Sequence, residues 1–215
     1  MNAVCVLASG GLDSAALIGD LSRGRTVYPV YIRQGLAWEK AELYWLRRFL
    51  KAVRGPRVKP LQVFALPMGD VYGRHWSMGR RRVPGAHSPD QAVYLPGRNP
   101  LLTVKAAVFC ALHKIPALAV GSLNHNPFPD AAPAFFKVWS QALSRALGRK
   151  IQVLTPFRPL SKVQVIRRAR QWPLELSFSC LAPRGLRHCG RCNKCAERQK
   201  AFRQAGVKDK TRYAD

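Results

Sequence analysis

Five short apolar runs punctuate the chain: Ala3 to Ala8, Thr26 to Ile32, Leu61 to Leu66, Ala117 to Gly121 and Ile151 to Leu154. Their length and their flanking turn residues suit buried strands better than helices. Between them, apolar positions recur every three or four residues over Ser14 to Ser22, Lys40 to Lys51, Pro100 to His113 and Phe135 to Leu147. That spacing predicts helices with one buried side. A further helix is expected over Lys162 to Gln171, with Ser161 placed to cap it. Strands that are apolar throughout and alternate with helices imply an α/β chain, a Rossmann-like parallel sheet covered on both faces. Ligands of such sheets sit beyond the carboxyl ends of the strands.

The first strand runs into Ser9-Gly10-Gly11-Leu12-Asp13-Ser14 at that end. Two glycines let the main chain approach an anion closely, a helix start offers its unpaired N–H groups, and Ser9 and Ser14 add hydroxyls. The spacing is neither that of the Gly-Lys-Ser/Thr phosphate loop nor that of the dinucleotide fingerprint. Asp13 narrows the chemistry further. A carboxylate beside a polyphosphate repels it unless a divalent cation intervenes, so Asp13 implies Mg²⁺. The bland alternative is a glycine turn capped by Asp or Ser.

With 215 residues, 47% of them hydrophobic, the chain can bury one sizeable core and a small appendage. We divide it into a nucleotide-binding domain, 1–160, and a helical C-terminal segment, 161–215. No apolar run approaches the ~20 residues that span a bilayer, and no basic stretch precedes a hydrophobic leader, so the expectation is a cytoplasmic protein without membrane contact. Four of the six cysteines, Cys180, Cys189, Cys192 and Cys195, follow the spacing C-x8-C-x2-C-x2-C. Close clustering in a reducing compartment reads as metal ligation, and four thiolates suit tetrahedral Zn²⁺ in a structural site. Iron–sulfur ligation and a redox pair use the same residue type. His188 is read as a bystander, and Cys5 and Cys110 as small buried hydrophobes.

Charge widens the range of partners. Thirty-six Lys and Arg against eleven Asp and Glu give +25, a field that recruits polyanions such as RNA. The cations are spread along the chain rather than gathered in one tail, which a solvated basic surface explains as well. The irregular stretch Gly69 to Pro89 is expected to be a surface excursion over the ligand face, mobile or ordering on binding. Within it Trp76 and Arg80-Arg81-Arg82 could stack on and neutralise a nucleic acid strand, with an ordinary solvated loop as the alternative. Between Gln91 and Leu174 the only carboxylate is Asp130, a candidate for binding a substrate N–H group or orienting a base, with capping of a helix starting near Ala134 as the alternative. Arg98 could hold a phosphate or carboxylate bidentately. Asn99 could read an amide edge or cap the helix that follows.

The loop Ser9 to Ser14 resembles that of the ATP pyrophosphatase superfamily. Joined with Pro96-Gly97-Arg98-Asn99, Phe128-Pro129-Asp130, Pro159-Leu160-Ser161-Lys162, the cysteine spacing and the tail Ala205 to Tyr213, the chain resembles the 7-cyano-7-deazaguanine synthase family of queuosine biosynthesis from end to end. The resemblance implies an adenine nucleotide alpha hydrolase-like fold and an ATP-dependent ligase. Such a ligase converts 7-carboxy-7-deazaguanine and ammonia to the nitrile through an acyl-adenylate. Carried over by position, Leu7, Ala8, Ser9, Gly10, Gly11, Leu12, Asp13 and Ser14 bind ATP, and Cys180, Cys189, Cys192 and Cys195 bind zinc. Asp13, Arg98, Asp130 and Lys162 serve catalysis, and a homo-oligomer, a dimer, is expected. Three features depart from the family pattern: Ile32-Arg33-Gln34-Gly35 after the second strand, Ala131-Ala132 after the Pro-Asp turn, and the charge of +25. They leave two alternatives open: a related enzyme acting on RNA or a macromolecule-linked deazaguanine, and a non-catalytic nucleotide- or RNA-binding module.

Overall fold

The computed structural model describes residues 2–79 and 81–214. Five parallel strands, β1 (Ala3–Leu7), β2 (Thr26–Arg33), β3 (Gln62–Ala65), β4 (Ala117–Ala119) and β5 (Gln152–Leu154), form one sheet in the order β3-β2-β1-β4-β5. The helices are α1 (Leu12–Leu21), α2 (Glu39–Ala52), the single turn α3 (Gly69–Tyr72), α4 (Arg98–Leu112), α5 (Pro133–Ala146), α6 (Lys162–Ala169) and α7 (Asn193–Ala205). All five expected strands and all five expected helices form, with no end displaced by more than two residues. Helix α7 was not anticipated as a distinct element. Its apolar positions are few among Lys and Arg, and tertiary packing rather than periodicity stabilises it.

The central strand β1 shows why the sheet is covered on both faces. Its side chains alternate, so Val4 and Val6 pack toward α1, α6 and α7, while Cys5 and Leu7 pack toward α4 and α5. Cys5 and Cys110 are both fully buried in the second cluster, as small hydrophobes would be. Residues 161–205 share the first cluster with the sheet, through Val165, Ile166, Ala169, Ala201 and Phe202. A third apolar cluster gathers Trp38, Val93, Leu95, Phe178 and the four C-terminal cysteines over the carboxyl ends of the strands.

The excursion Gly69 to Pro89 is held down rather than free. Trp76 stacks on Trp38 at 5.6 Å between ring centroids, Ser77 is fully buried, and its carbonyl accepts from Ala37 N at 2.9 Å. Asn193 N reaches Pro84 O at 2.9 Å and Asn193 Nδ2 reaches Ser88 O at 2.8 Å. Trp76 is therefore spent on an internal stack, which neither the nucleic acid reading nor that of an ordinary solvated loop anticipated. Arg81 and Arg82 are exposed, and Arg80 lies outside the described residues. Among the described residues no helix is long and apolar enough to cross a membrane.

Candidate functional site

The Ser9 to Ser14 loop is built at the carboxyl end of β1. Gly10 has φ +74°, and a Cβ there would lie 2.9 Å from the Glu42 carbonyl oxygen, so the turn requires glycine on both counts. Gly11 is the N-cap of α1 and provides no side-chain cap. The first N–H groups of that helix thus remain for an anion. Ser9 Oγ accepts from Gly11 N at 3.3 Å and donates to Ser14 Oγ at 3.2 Å, and Ser14 Oγ donates to Gly11 O at 3.0 Å. These bonds fix the turn before any ligand arrives. Leu7 and Ala8 are buried in opposite core clusters, so they can meet a ligand only through backbone, whereas Leu12 lines the cavity.

Asp13 occupies the first turn of α1. Its Oδ2 meets Lys162 Nζ at 2.6 Å, and its Oδ1 is buried with no hydrogen-bond partner. Gly121 permits the approach of this turn to the end of β4, since a Cβ on it would lie 3.2 to 3.3 Å from the Asp13 backbone and Cβ. Lys162 stands at the start of α6, where Ser161 forms a reciprocal capping box with Gln164. Beyond Lys162 the charges alternate. Glu197 lies 3.3 Å from Lys162 and 2.8 Å from Lys194, and Lys194 lies 3.7 Å from Asp90. Burial works against a charged Lys162, yet Asp13 and Glu197 together raise its pKa above the ordinary lysine range. Burial likewise opposes ionised Glu197, but Lys162 and Lys194 overcome it and bring its pKa down to about 2.

This charge chain borders a cavity of about 270 Å³. Its lining includes Ser9, Gly11 and Asp13 of the loop, the stacked pair Trp38 and Trp76, Phe178, Arg98 and Glu42. A second cavity of about 200 Å³, lined by Asn124, His125 and Asn126, shares Asp13, Lys162, Lys194 and Glu197 with the first. Arg98 opens α4 and donates from Nε to Gln34 Oε1 at 3.3 Å. Asp130 acts one step behind it. Its Oδ2 accepts from Asn99 N at 3.0 Å, and its Oδ1 and carbonyl accept from Asn99 Nδ2 at 3.3 and 3.1 Å. The isolated acid therefore caps α4 from another segment. Neither alternative read from sequence, capping near Ala134 or Asn99 as the cap, describes this arrangement. Glu42 has its pKa raised to about 7, chiefly by burial, against the pull of Arg98 and of the Tyr31 hydroxyl at 2.6 Å.

The sulfur atoms of Cys180, Cys189, Cys192 and Cys195 lie within 4.8 Å of one another, all four residues buried. Backbone N–H groups point at two of them, Leu181 N to Cys192 Sγ at 3.4 Å and Cys189 N to Cys180 Sγ at 3.2 Å. Hydrogen bonds from Cys180 and Cys195 lower the Cys192 pKa far below the ordinary thiol range. Four convergent sulfurs with donors aimed at them fit a structural metal ion. His188 is not a fifth ligand. Its Nε2 accepts from Ser179 N at 3.1 Å, and burial, assisted by Arg198, pushes its pKa down to about 3. The cysteine centre adjoins the cavity directly. Cys180 lines it, and Cys192 is the N-cap of α7, which carries Lys194 and Glu197 into the charge chain. Arg198, also on α7, ties it to Ser177 Oγ and Leu174 O, each at 2.8 Å.

Sequence reasoning thus located Ser9 to Ser14, Lys162, Arg98 and the cysteines, and the fold brings all of them to one end of the sheet. It missed Glu197, Glu42, Trp38 and Phe178. Glu197 had a usable signal, an acid isolated among Lys194, Arg198, Lys200 and Arg203.

The family model described as "Queuosine biosynthesis protein QueC" matches residues 2–206. Relatives named 7-cyano-7-deazaguanine synthase include that of Leptospira interrogans, 27% identical and aligned over 97% of this chain and 90% of its own length. The one from Methanosphaerula palustris is 28% identical over the full length of both. Among solved structures, a predicted subunit of tRNA methyltransferase from Methanocaldococcus jannaschii superposes with a TM-score of 0.50 and 18% identity. It covers 79% of this chain and 75% of that one, which is a likeness of fold.

Proposed function

The chain belongs to the QueC family of queuosine biosynthesis proteins, and from that premise we propose that its cavity activates the carboxylate of 7-carboxy-7-deazaguanine with ATP and joins it to ammonia. A carboxylate yields its oxygen only once that oxygen is part of a good leaving group. One carboxylate oxygen attacks the α-phosphorus of ATP, the bond from that phosphorus to the bridging oxygen breaks, and pyrophosphate departs. Ammonia then attacks the acyl carbon, loses a proton and expels AMP, leaving the amide. The nitrile retains neither carboxyl oxygen, so the amide oxygen is activated by a second ATP in the same way. Loss of AMP and of the remaining N–H protons forms the C≡N bond.

The side chains divide this work. The first N–H groups of α1, with Ser9 and Ser14, hold the polyphosphate. Lys162 and Lys194 neutralise charge gathering on the departing pyrophosphate. Arg98 faces the substrate carboxylate, and Asp130 positions Arg98 by fixing the start of α4. Trp38, Trp76 and Phe178 line the cavity with apolar rings, which suits a planar heterocycle and excludes water. The buried Asp13 Oδ1 without a partner suits a divalent cation, and Mg²⁺ held there would screen Asp13 from the phosphates and polarise them. Zinc in the cysteine centre would hold α7, and with it Lys194 and Glu197, against the nucleotide-binding part of the chain.

The observation that carries the reading is Asp13 itself: one oxygen on Lys162, the other buried and unpaired, at the start of a helix entered through two glycines. Incubation of purified protein with Mg-ATP, ammonium and 7-carboxy-7-deazaguanine, followed by mass spectrometry, tests it. The nitrile, AMP and pyrophosphate are expected, and their absence in fully loaded protein would overturn the assignment. A cytoplasmic setting suits four clustered free thiols. A homodimer is favoured by Val104, Val108 and Leu112, an exposed apolar row on α4 that a second copy would cover. A nucleic acid partner is favoured by a row of exposed cations along α2, Lys40, Arg47, Arg48 and Lys51, that no acid among the described residues pairs.

A further inference from the structure

Helix α2 has two unlike sides. One side turns Trp38 and Glu42 toward the nucleotide cavity. The other presents Lys40, Tyr44, Arg47, Arg48 and Lys51, all exposed, along a groove of about 730 Å³ that Arg33 also lines. Of these cations only Arg33 has a carboxylate partner among the described residues, Glu39 at 3.1 Å. Glu39 is itself occupied by Gln34 N at 2.6 Å and Gly35 N at 3.2 Å. Among the described residues the other four cations have no carboxylate within ion-pair distance. At 1.5 Å per residue, Lys40 to Lys51 extends about 16 Å along the helix. Tyr44 stands in mid-row, 39% exposed, with the Arg48 guanidinium 5.8 Å over its ring and 5.7 Å over that of Trp45.

We propose that this side of α2 is a binding site for a single-stranded segment of RNA. A row of unpaired cations at helical spacing neutralises successive phosphates, while an exposed ring backed by a guanidinium is a platform for an unstacked base. An anionic membrane is a poorer match, because four of the five large exposed aliphatic side chains among the described residues, Val104, Val108, Leu112 and Val138, lie on α4 and α5 over the opposite face of the sheet, and the fifth, Val71, is on α3 rather than α2. An acidic peptide would find the cations but would make no use of the ring. The groove also has a physical link to the cavity. Arg33 and the Gln34 backbone share Glu39, and Gln34 Oε1 accepts from Arg98. The RNA therefore lies along the outer side of the helix whose inner side borders the nucleotide cavity.

Fluorescence anisotropy with a labelled single-stranded oligoribonucleotide of about 12 nucleotides, titrated at several salt concentrations, tests the site. The intact protein should bind with affinity that falls steeply as salt rises. The triple variant R47A/R48A/K51A should lose at least tenfold in affinity and about two in the slope of log affinity against log salt. Y44A should weaken binding while leaving the slope unchanged. A control triple, R145A/R149A/K150A on the far side of the molecule, should behave as the parent. Thermal midpoints and ATP-dependent turnover of the α2 variants should match the parent, which separates this proposal from the ligase assignment. Three results would overturn it: no RNA binding, equal losses in both triple variants, or tighter α2-dependent binding to polyglutamate or phosphatidylserine vesicles than to RNA.

Discussion

Replacing Glu197 by Gln probes the charge chain without emptying the space it fills. Each Glu197 oxygen faces an ammonium, Oε1 toward Lys162 at 3.3 Å and Oε2 toward Lys194 at 2.8 Å. An amide must turn its NH₂ toward one of them, so one charge-assisted hydrogen bond is lost and two lysines are left with too little negative charge. A hydrogen bond to a charged group is worth about 1.5–3 kcal/mol net. If that bond serves to hold the lysines on the departing pyrophosphate, kcat/KM for ATP should fall roughly 10- to 150-fold. Continuous detection of pyrophosphate, with kcat and KM separated, gives the number. The pH profile supplies a second reading. Glu197 is one of the two groups that raise the Lys162 pKa, so its removal should let Lys162 lose its proton at lower pH and draw the alkaline limb of activity toward neutrality. A variant within twofold of the parent, with an unmoved alkaline limb, would refute the role of the chain.

Three further outcomes follow from particular contacts. Gly10→Ala places a methyl group 2.9 Å from the Glu42 carbonyl at φ +74°, which should cost about 1–3 kcal/mol in denaturant unfolding and abolish ATP binding by calorimetry; a fully stable variant that still binds ATP would contradict the loop geometry. Glu42 has a folded-state pKa near 7 against an ordinary 4.5. Its burial therefore destabilises the fold increasingly between those values, by about 3 kcal/mol above pH 7. Glu42→Gln should gain stability at pH 8 relative to pH 4, and a gain independent of pH would dismiss that cause. Removing the metal, by chelation or Cys192→Ala, should release about one zinc per chain by elemental analysis and cost about 4 kcal/mol or more. Metal-free protein with unchanged melting and turnover would show that the cysteines do not hold α7.

Much of this was legible in the sequence because it depends on local chemistry. Apolar runs ending in turn residues marked every strand, and the Ser9 to Ser14 loop and the Ser161 cap are specified by consecutive residues. What escaped depends on distant pairing. Asp130 drew attention as the only acid in a long basic stretch, yet its partner is Asn99, 31 positions earlier, and nothing in either segment announces the other. Lys162 and Asp13 are 149 positions apart, and Glu197 joins them only because the cysteine centre starts α7 where it does. Trp76 was legible only as an aromatic in an irregular stretch; its stack on Trp38 depends on how that stretch folds back over the cavity.

The central claim is that the cavity transfers a carboxylate oxygen to the α-phosphorus of ATP. Its most direct test is an incubation of 7-carboxy-7-deazaguanine labelled with ¹⁸O in the carboxylate, with ammonium and Mg-ATP, followed by mass spectrometry of the nucleotide and phosphate products. The label should appear in AMP, and Asp13→Asn should abolish its transfer. Label found in inorganic phosphate with ADP as the nucleotide product, or nitrile formed with unlabelled AMP, would contradict adenylation at this site.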